Sequence, residues 1–259
     1  RRILFYDIKK LKSLYKNVSK NVDKKIKNEN EENIKLLYLE KNSLYTSDMY
    51  FSKDKKILFI ESGDHSNNEI KFISITKFMK NHETNIETLI KIKKNILNNV
   101  AKKGRHFYIL SNKDSDNKFI YQCSNRICDD DSDSDSDYDS DSNNNSDNKN
   151  NNMKIVYKPS KGRFISDFIF FKDFMIVCEK YSCKSYLYLI INNDFSKKNR
   201  KSLTFFNNLN HFHINILSKY SEYNSKEFLY TTSSIGSPLK LYRYNIETQE
   251  NDLIYKKRL

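Results

Sequence analysis

The sequence has no tryptophan and, in 259 residues, only four glycines and two prolines. Turns are therefore left to Asn, Asp, Ser and Lys, which the chain holds in excess and whose short polar side chains support turn geometry. No apolar run approaches the roughly 20 residues that a membrane-spanning helix requires, and the start carries no secretory signal pattern. That start, Arg-Arg-Ile-Leu-Phe-Tyr, has no Met and opens in a strand-like run, so we expect a piece of a longer protein. The four cysteines, Cys123, Cys128, Cys178 and Cys183, come without a signal, which leads us to expect reduced thiols in a cytoplasmic protein. A Gly-x-Ser-x-Gly elbow is also missing. The glycines are Gly63, Gly104, Gly162 and Gly236, and Gly236-Ser237-Pro238 falls in an expected hairpin loop, whereas an elbow needs a strand-to-helix turn. No catalytic, cofactor-binding or metal-binding residue is assigned.

Charge is abundant but segregated. Residues 129–152 hold nine Asp and one Lys, a net −8, so the rest of the chain carries +21 against a formal total of +13. A basic surface could serve nucleic acid or a membrane. The lysines are scattered through every segment instead of forming one stripe, so we read them as solvated surface positions and expect neither partner.

Apolar periodicity carries the fold. After a β-type run at 1–8, Ile8, Leu11, Tyr15, Val18, Val22 and Ile26 recur every three or four residues among lysines, which predicts a helix. We read 9–33 as a polar, helical insertion; a surface-lying membrane helix is the other reading of such a stripe. Strand-length runs then follow at Ile34–Glu40, Tyr45–Phe51, Lys56–Ser62 and Glu69–Ile75. A second group is Glu87–Ile92, Ile96–Val100, His106–Ser111 and Lys118–Cys123. The third is Lys154–Tyr157, Arg163–Phe171, Phe174–Glu179 and Ser185–Ile191, and the fourth opens with Leu203–Phe206 and His211–Leu217. Strands in fours, about 45 residues per group, predict an all-β fold of four-stranded antiparallel blades. The boundaries read as 34–78, 79–128, 154–200 and 201–259, with a disordered Asp/Ser/Asn insertion at 129–153.

The last group closes with Phe228–Ser233 and Leu239–Tyr244 around a turn expected to use Gly236 and Pro238, then a second turn at Glu247–Asn251 and a run at Leu253–Tyr255. This meander is also where a family resemblance lies. Tyr-Thr-Thr-Ser-Ser-Ile-Gly-Ser-Pro-Leu-Lys-Leu-Tyr-Arg-Tyr-Asn-Ile-Glu-Thr at 230–248 resembles the last propeller blade of the prolyl oligopeptidase family, nearest to oligopeptidase B. Three further stretches are similar to that family, in the right order: 51–70 (Phe-Ser-Lys-Asp-Lys-Lys-Ile-Leu-Phe-Ile-Glu-Ser-Gly and onward), 104–112 (Gly-Arg-His-Phe-Tyr-Ile-Leu-Ser-Asn), and 165–179. The last reads Ile-Ser-Asp-Phe-Ile-Phe-Phe-Lys-Asp-Phe-Met-Ile-Val-Cys-Glu, against the family's Leu-x-Asp-Phe-x-x-Phe-Lys-Asp-x-Leu-Val-x-x-Glu. The segments 9–33 and 129–153 have no counterpart there.

Three clusters could carry chemistry. Asp129–Ser142 alternates Asp with Ser like the start of a Ca²⁺ loop, but lacks the loop's central Gly and terminal Glu, so we expect a disordered, phosphorylatable tract. Cys123/Cys128 and Cys178/Cys183 are two pairs with four intervening residues, wider than the usual zinc knuckle. We expect small apolar side chains there, with Cys178 and Cys183 on adjacent strands of one hairpin. His211 and His213 share one strand face by the two-residue repeat, and we expect a packed or surface pair.

The resemblance implies about four consecutive blades of a seven-bladed propeller, with the last strand of a preceding blade at 1–8. It further implies an α/β-hydrolase domain beyond 259 bearing a Ser-His-Asp triad, short peptides as substrates, and cleavage after Arg or Lys. No cofactor is implied. The other reading is a propeller used only as a protein-binding platform; the missing Trp argues against the WD-repeat kind.

Overall fold

The computed structural model describes residues 3–7, 34–81, 85–124, 153–203, 213–234 and 236–257. The helix expected at 9–33 and the tract 129–152 lie outside them. The chain divides into two units, 1–98 and 99–259.

In the first unit, β1 (Ile3–Asp7) pairs antiparallel with β2 (Ile34–Leu39). A four-stranded antiparallel sheet follows in chain order: β3 (Thr46–Phe51), β4 (Ile57–Gly63), β5 (Asn68–Ser74) and β6 (Glu87–Ile90). Its hairpins form without proline. At the β3–β4 turn the Ser52 amide donates to the Ile57 carbonyl (2.8 Å), and the Ser52 hydroxyl both donates to Asp54 (2.6 Å) and accepts the Ile57 amide (2.9 Å). Lys55 takes the left-handed backbone there (φ 58°), a position that glycine would fill without strain. One glycine is demanded by space: a Cβ on Gly63 would sit 2.1 Å from the Asn67 carbonyl oxygen. Helix α1 (Ile75–Asn81) bridges β5 and β6. Ile75, Phe78 and Met79, spaced for one helix face, turn that helix onto Leu37 of β2 and Leu58, Ile60 and Ile73 of β4 and β5. The apolar spacing predicts no helix here, because seven residues are too few for a periodic signal.

The second unit holds three more four-stranded antiparallel sheets. The first comprises β7 (Asn98–Lys103), β8 (His106–Ser111), β9 (Phe119–Ser124) and β10 (Lys154–Tyr157). Next come β11 (Phe164–Phe170), β12 (Phe174–Tyr181), β13 (Lys184–Ile191) and β14 (Arg200–Ser202). The last is β15 (His213–Ile216), β16 (Glu227–Ser234), β17 (Ser237–Asn245) and β18 (Asn251–Lys256). The β11–β14 sheet is sandwiched. Phe168, Phe170, Met175, Val177 and Ile190 meet Tyr108, Leu110, Ile120 and Tyr157 on one side. Phe171, Phe174, Ile176, Leu187 and Leu189 meet Ile214, Phe228, Tyr230 and Tyr244 on the other.

Most strand positions agree with the periodicity, but β14 at Arg200–Ser202 stands where no strand is expected, Leu203 of the expected Leu203–Phe206 run is not in a strand while 204–206 lie outside the described residues, and the grouping is corrected. β2 pairs with β1, not β3, so the first four-stranded sheet runs from Thr46 to Ile90 instead of 34–78. Likewise β10 pairs with β9, placing Lys154–Tyr157 at the end of its sheet instead of the start of the next. A polar connection looks the same in sequence whether it closes a hairpin or steps between sheets, and the long tract at 129–152 resembles a boundary though it joins two paired strands. The closing turn also differs. Gly236 does not use positive φ, and Pro238 lies inside β17, at an irregular register next to the hairpin where no ladder donor is needed.

Candidate functional site

The first strand of each sheet in the second unit lies at that sheet's edge. Three such strands converge on one cavity of about 380 Å³. Asn99 comes from β7, Ser166 and Asp167 from β11, and His213, Ile214, Asn215 and Ile216 from β15, with Cys178 and Lys180 of β12 completing the wall. An irregularity in the β11–β12 register makes this possible. Ile165 faces Glu179 and Asp167 faces Cys178, so Ser166 is an extra residue. Such a bulge re-aims the side chains around it. The Ser166 hydroxyl turns to donate to the Cys178 carbonyl (3.2 Å), and Asp167 enters the cavity from a strand that is otherwise mostly apolar. Burial pushes the Asp167 carboxyl above its ordinary value, a shift offset in part by the Phe168 amide (2.8 Å) and the positive charge of Lys180. Burial likewise pushes the Cys178 thiol up.

The other polar residues of the stretch 165–179 have structural parts. Lys172 and Asp173 form a two-residue turn closed by the Phe171 amide on the Phe174 carbonyl (2.8 Å), and Asp173 accepts Lys226 at 2.7 Å. Glu179, fully buried, anchors the link between the second and third sheets of the molecule. Its carboxylate accepts the Tyr157 hydroxyl (2.7 Å) and the Ser160 amide (3.3 Å), and Arg163 approaches to 3.6 Å. Arg163 stacks 3.7 Å above the Tyr186 ring and donates to the Tyr188 hydroxyl. Burial first, and the Glu179 charge next, push the Tyr157 phenol up. A charged residue inside an apolar strand was the signal available for Asp167 and Glu179, since carboxylates are seldom buried without a partner.

A second concavity, about 510 Å³, opens on the far face of the last sheet, among Tyr220, Leu229, Leu241, Arg243 and Ile254.

The residues weighed for metal chemistry are placed only in part. Cys123 and Cys178 are buried, and Cys183 is exposed. Cys183 sits with Ser182 in the two-residue β12–β13 turn, both at positive φ, and not on a strand as expected; the tight hairpin leaves no room for another strand residue. Cys128 and His211 lie outside the described residues, and His213 is exposed on β15. Among the described residues no group of three metal-ligating side chains occurs.

Edge strands from successive four-stranded antiparallel sheets around one cavity are the inner wall of a propeller. The family model of the prolyl oligopeptidase N-terminal beta-propeller domain matches residues 1–257. The chain belongs to this family. Among solved structures, the propeller is similar to oligopeptidase B from Trypanosoma brucei with covalently bound antipain, in its closed form. The identity is 17%, the TM-score 0.68, and the match covers 87% of this chain and 29% of that one. Oligopeptidase B from Leishmania major gives 15% identity and a TM-score of 0.69, with 87% and 29% covered. Prolyl oligopeptidase B from Galerina marginata bound to a 35mer substrate gives 12% and 0.65, with 88% and 29% covered. At these identities the likeness shows the fold, and the chain spans about 29% of the length of these neighbours. No curated relative matches the sequence. Among the described residues no helix is long and apolar enough to cross a membrane.

Proposed function

We propose that this chain is the substrate-gating part of the propeller of a cytoplasmic serine oligopeptidase. Its parent cuts short peptides by acyl transfer, after Arg or Lys, using a triad in an α/β-hydrolase domain further along the same polypeptide. The observation that carries this reading is the cavity walled by β7, β11 and β15. It is small and lined by polar side chains, so an extended peptide could enter and a folded protein could not. Family membership supports a peptidase parent, and the resemblance of residues 51–70, 104–112, 165–179 and 230–248 to oligopeptidase B motivates the preference for Arg or Lys. On this reading no residue of the chain performs bond chemistry; the propeller selects by size and admits.

The test uses the full-length parent with fluorogenic peptides bearing Arg, Lys or Pro before the scissile bond. Cleavage after Arg or Lys is expected. Cleavage after Pro would retain the family and overturn the specificity. Absence of both hydrolysis and labelling by a serine-reactive phosphonate would overturn the enzyme and leave a propeller acting as a protein-binding platform.

A further inference from the structure

The channel wall carries two opposite charges that feel each other without forming a direct ion pair. Asp167 and Lys180 line the same cavity on neighbouring strands. Asp167 Oδ1 accepts the Phe168 amide, and the ion pairs among the described residues involve neither side chain. Between and around them stand neutral groups that can meet amides, Asn99, Asn215 and the Ser166 hydroxyl, with Ile214 and Ile216 as apolar wall. A carboxylate and an ammonium lining one recess without an ion pair between them complement a ligand with the reverse pair of charges. Charge-assisted hydrogen bonds at both ends would fix its direction, asparagine amides can donate to and accept from a peptide unit, and about 380 Å³ lies at the small end of ligand sites.

We propose that this cavity binds a short zwitterionic peptide, its α-ammonium on Asp167 and its α-carboxylate on Lys180. Resting on the reading that peptides pass through this channel, the inference names free-ended di- and tripeptides, which any peptidase of short substrates releases as products. The recess then holds a cleavage product within the propeller and slows its exit.

Binding of alanyl-alanine to the full-length parent, inactivated beforehand with a serine-reactive phosphonate so that nothing is consumed, tests this by calorimetry. N-acetylation should weaken binding about tenfold by removing the ammonium, and C-amidation should do the same by removing the carboxylate. In Asp167→Asn the dipeptide should bind about tenfold more weakly and acetylation should have no further effect, while amidation still does. In Lys180→Met the pattern should reverse. Each variant thus keeps its response to the other modification, which reports that it is folded. Equal affinity for all three peptides, or wild-type patterns in both variants, would overturn the proposal. That result is separate from the enzyme reading, which rests on hydrolysis and labelling by the untreated parent.

Discussion

The last two sheets have central strands of eight or nine residues and the same pairing order, yet they differ in kind. In β12 the run Phe174–Cys178 is buried at every residue, because successive side chains point to opposite faces and both faces are covered. In β16 burial alternates: Phe228, Tyr230 and Thr232 are buried, while Leu229, Thr231 and Ser233 are only partly covered. The first sheet is an interior layer and the second has one half-open face. Their charges follow suit. Glu179, fully buried, holds hydrogen bonds to Tyr157 and Ser160, whereas Glu227 pairs loosely with Arg243 at 3.8 Å in partly exposed surroundings. Position between layers therefore decides what a residue is worth more than residue type does.

The largest contrast should come from the buried side. Glu179→Ala strands the Tyr157 hydroxyl and removes the carboxylate that faces Arg163, and Phe174→Ala empties a site covered on all sides. Each should cost about 3–5 kcal/mol in denaturant unfolding of the parent. If either costs under about 1 kcal/mol, the layer is not an interior one.

A smaller effect tests Lys103 of β7, whose ammonium stands 5.3 Å from the Phe170 ring centroid, buried and with no hydrogen-bond partner among the described residues. Burial lowers it to about 8, with Asp173 opposing. Between pH 8 and the unfolded value of 10.5 the folded state binds fewer protons, so stability should rise with pH across that window. Burial lowers Lys53 to about 8 as well, so Lys103→Met should remove about half of the rise and add on the order of 2 kcal/mol at pH 7. Above pH 10 the trend should reverse. Buried Tyr157 and Tyr230 keep their protons when folded and lose them when unfolded, so stability falls as pH climbs. A flat profile from pH 8 to 10 would refute the lysine's part.

Glycines give the next step down. Gly162, before β11, has φ +76° and faces the Tyr181 ring, so Gly162→Ala should cost about 1 kcal/mol. Gly236 in the last hairpin meets open space without positive φ, and its alanine variant should be neutral or slightly stabilising. Least of all, Arg243→Ala on the half-open face should change stability by under about 0.5 kcal/mol. A larger loss would mean that this face is covered in the parent.

Nearly every strand was legible because period-two alternation or a short apolar run is a local property. Pairing was not. Whether Lys41-Asn42-Ser43 turns β2 back on β3 or steps between sheets depends on Leu37 packing against Leu58 and Ile60, residues some 20 positions away. The candidate site was legible only as motif letters. Asp167 and Glu179 stand twelve residues apart in one family-like stretch, yet one enters a cavity through a one-residue bulge and the other is buried beneath Tyr157. No spacing rule distinguishes those fates, since the extra residue at Ser166 leaves no mark in composition.

The β9–β10 pairing has a practical consequence. Tyr121 faces Ile155 and Gln122 faces Lys154, so the ladder itself holds the two ends of the intervening stretch side by side. Loop-closure entropy grows only with the logarithm of length, about 0.6 kcal/mol per doubling. This hairpin is therefore a natural splice point. A fluorescent protein, an affinity tag or a protease recognition sequence placed between 125 and 152 would hang from a clamp whose register it does not set, and a chain cut there would offer two fragments with a strand each to find the other.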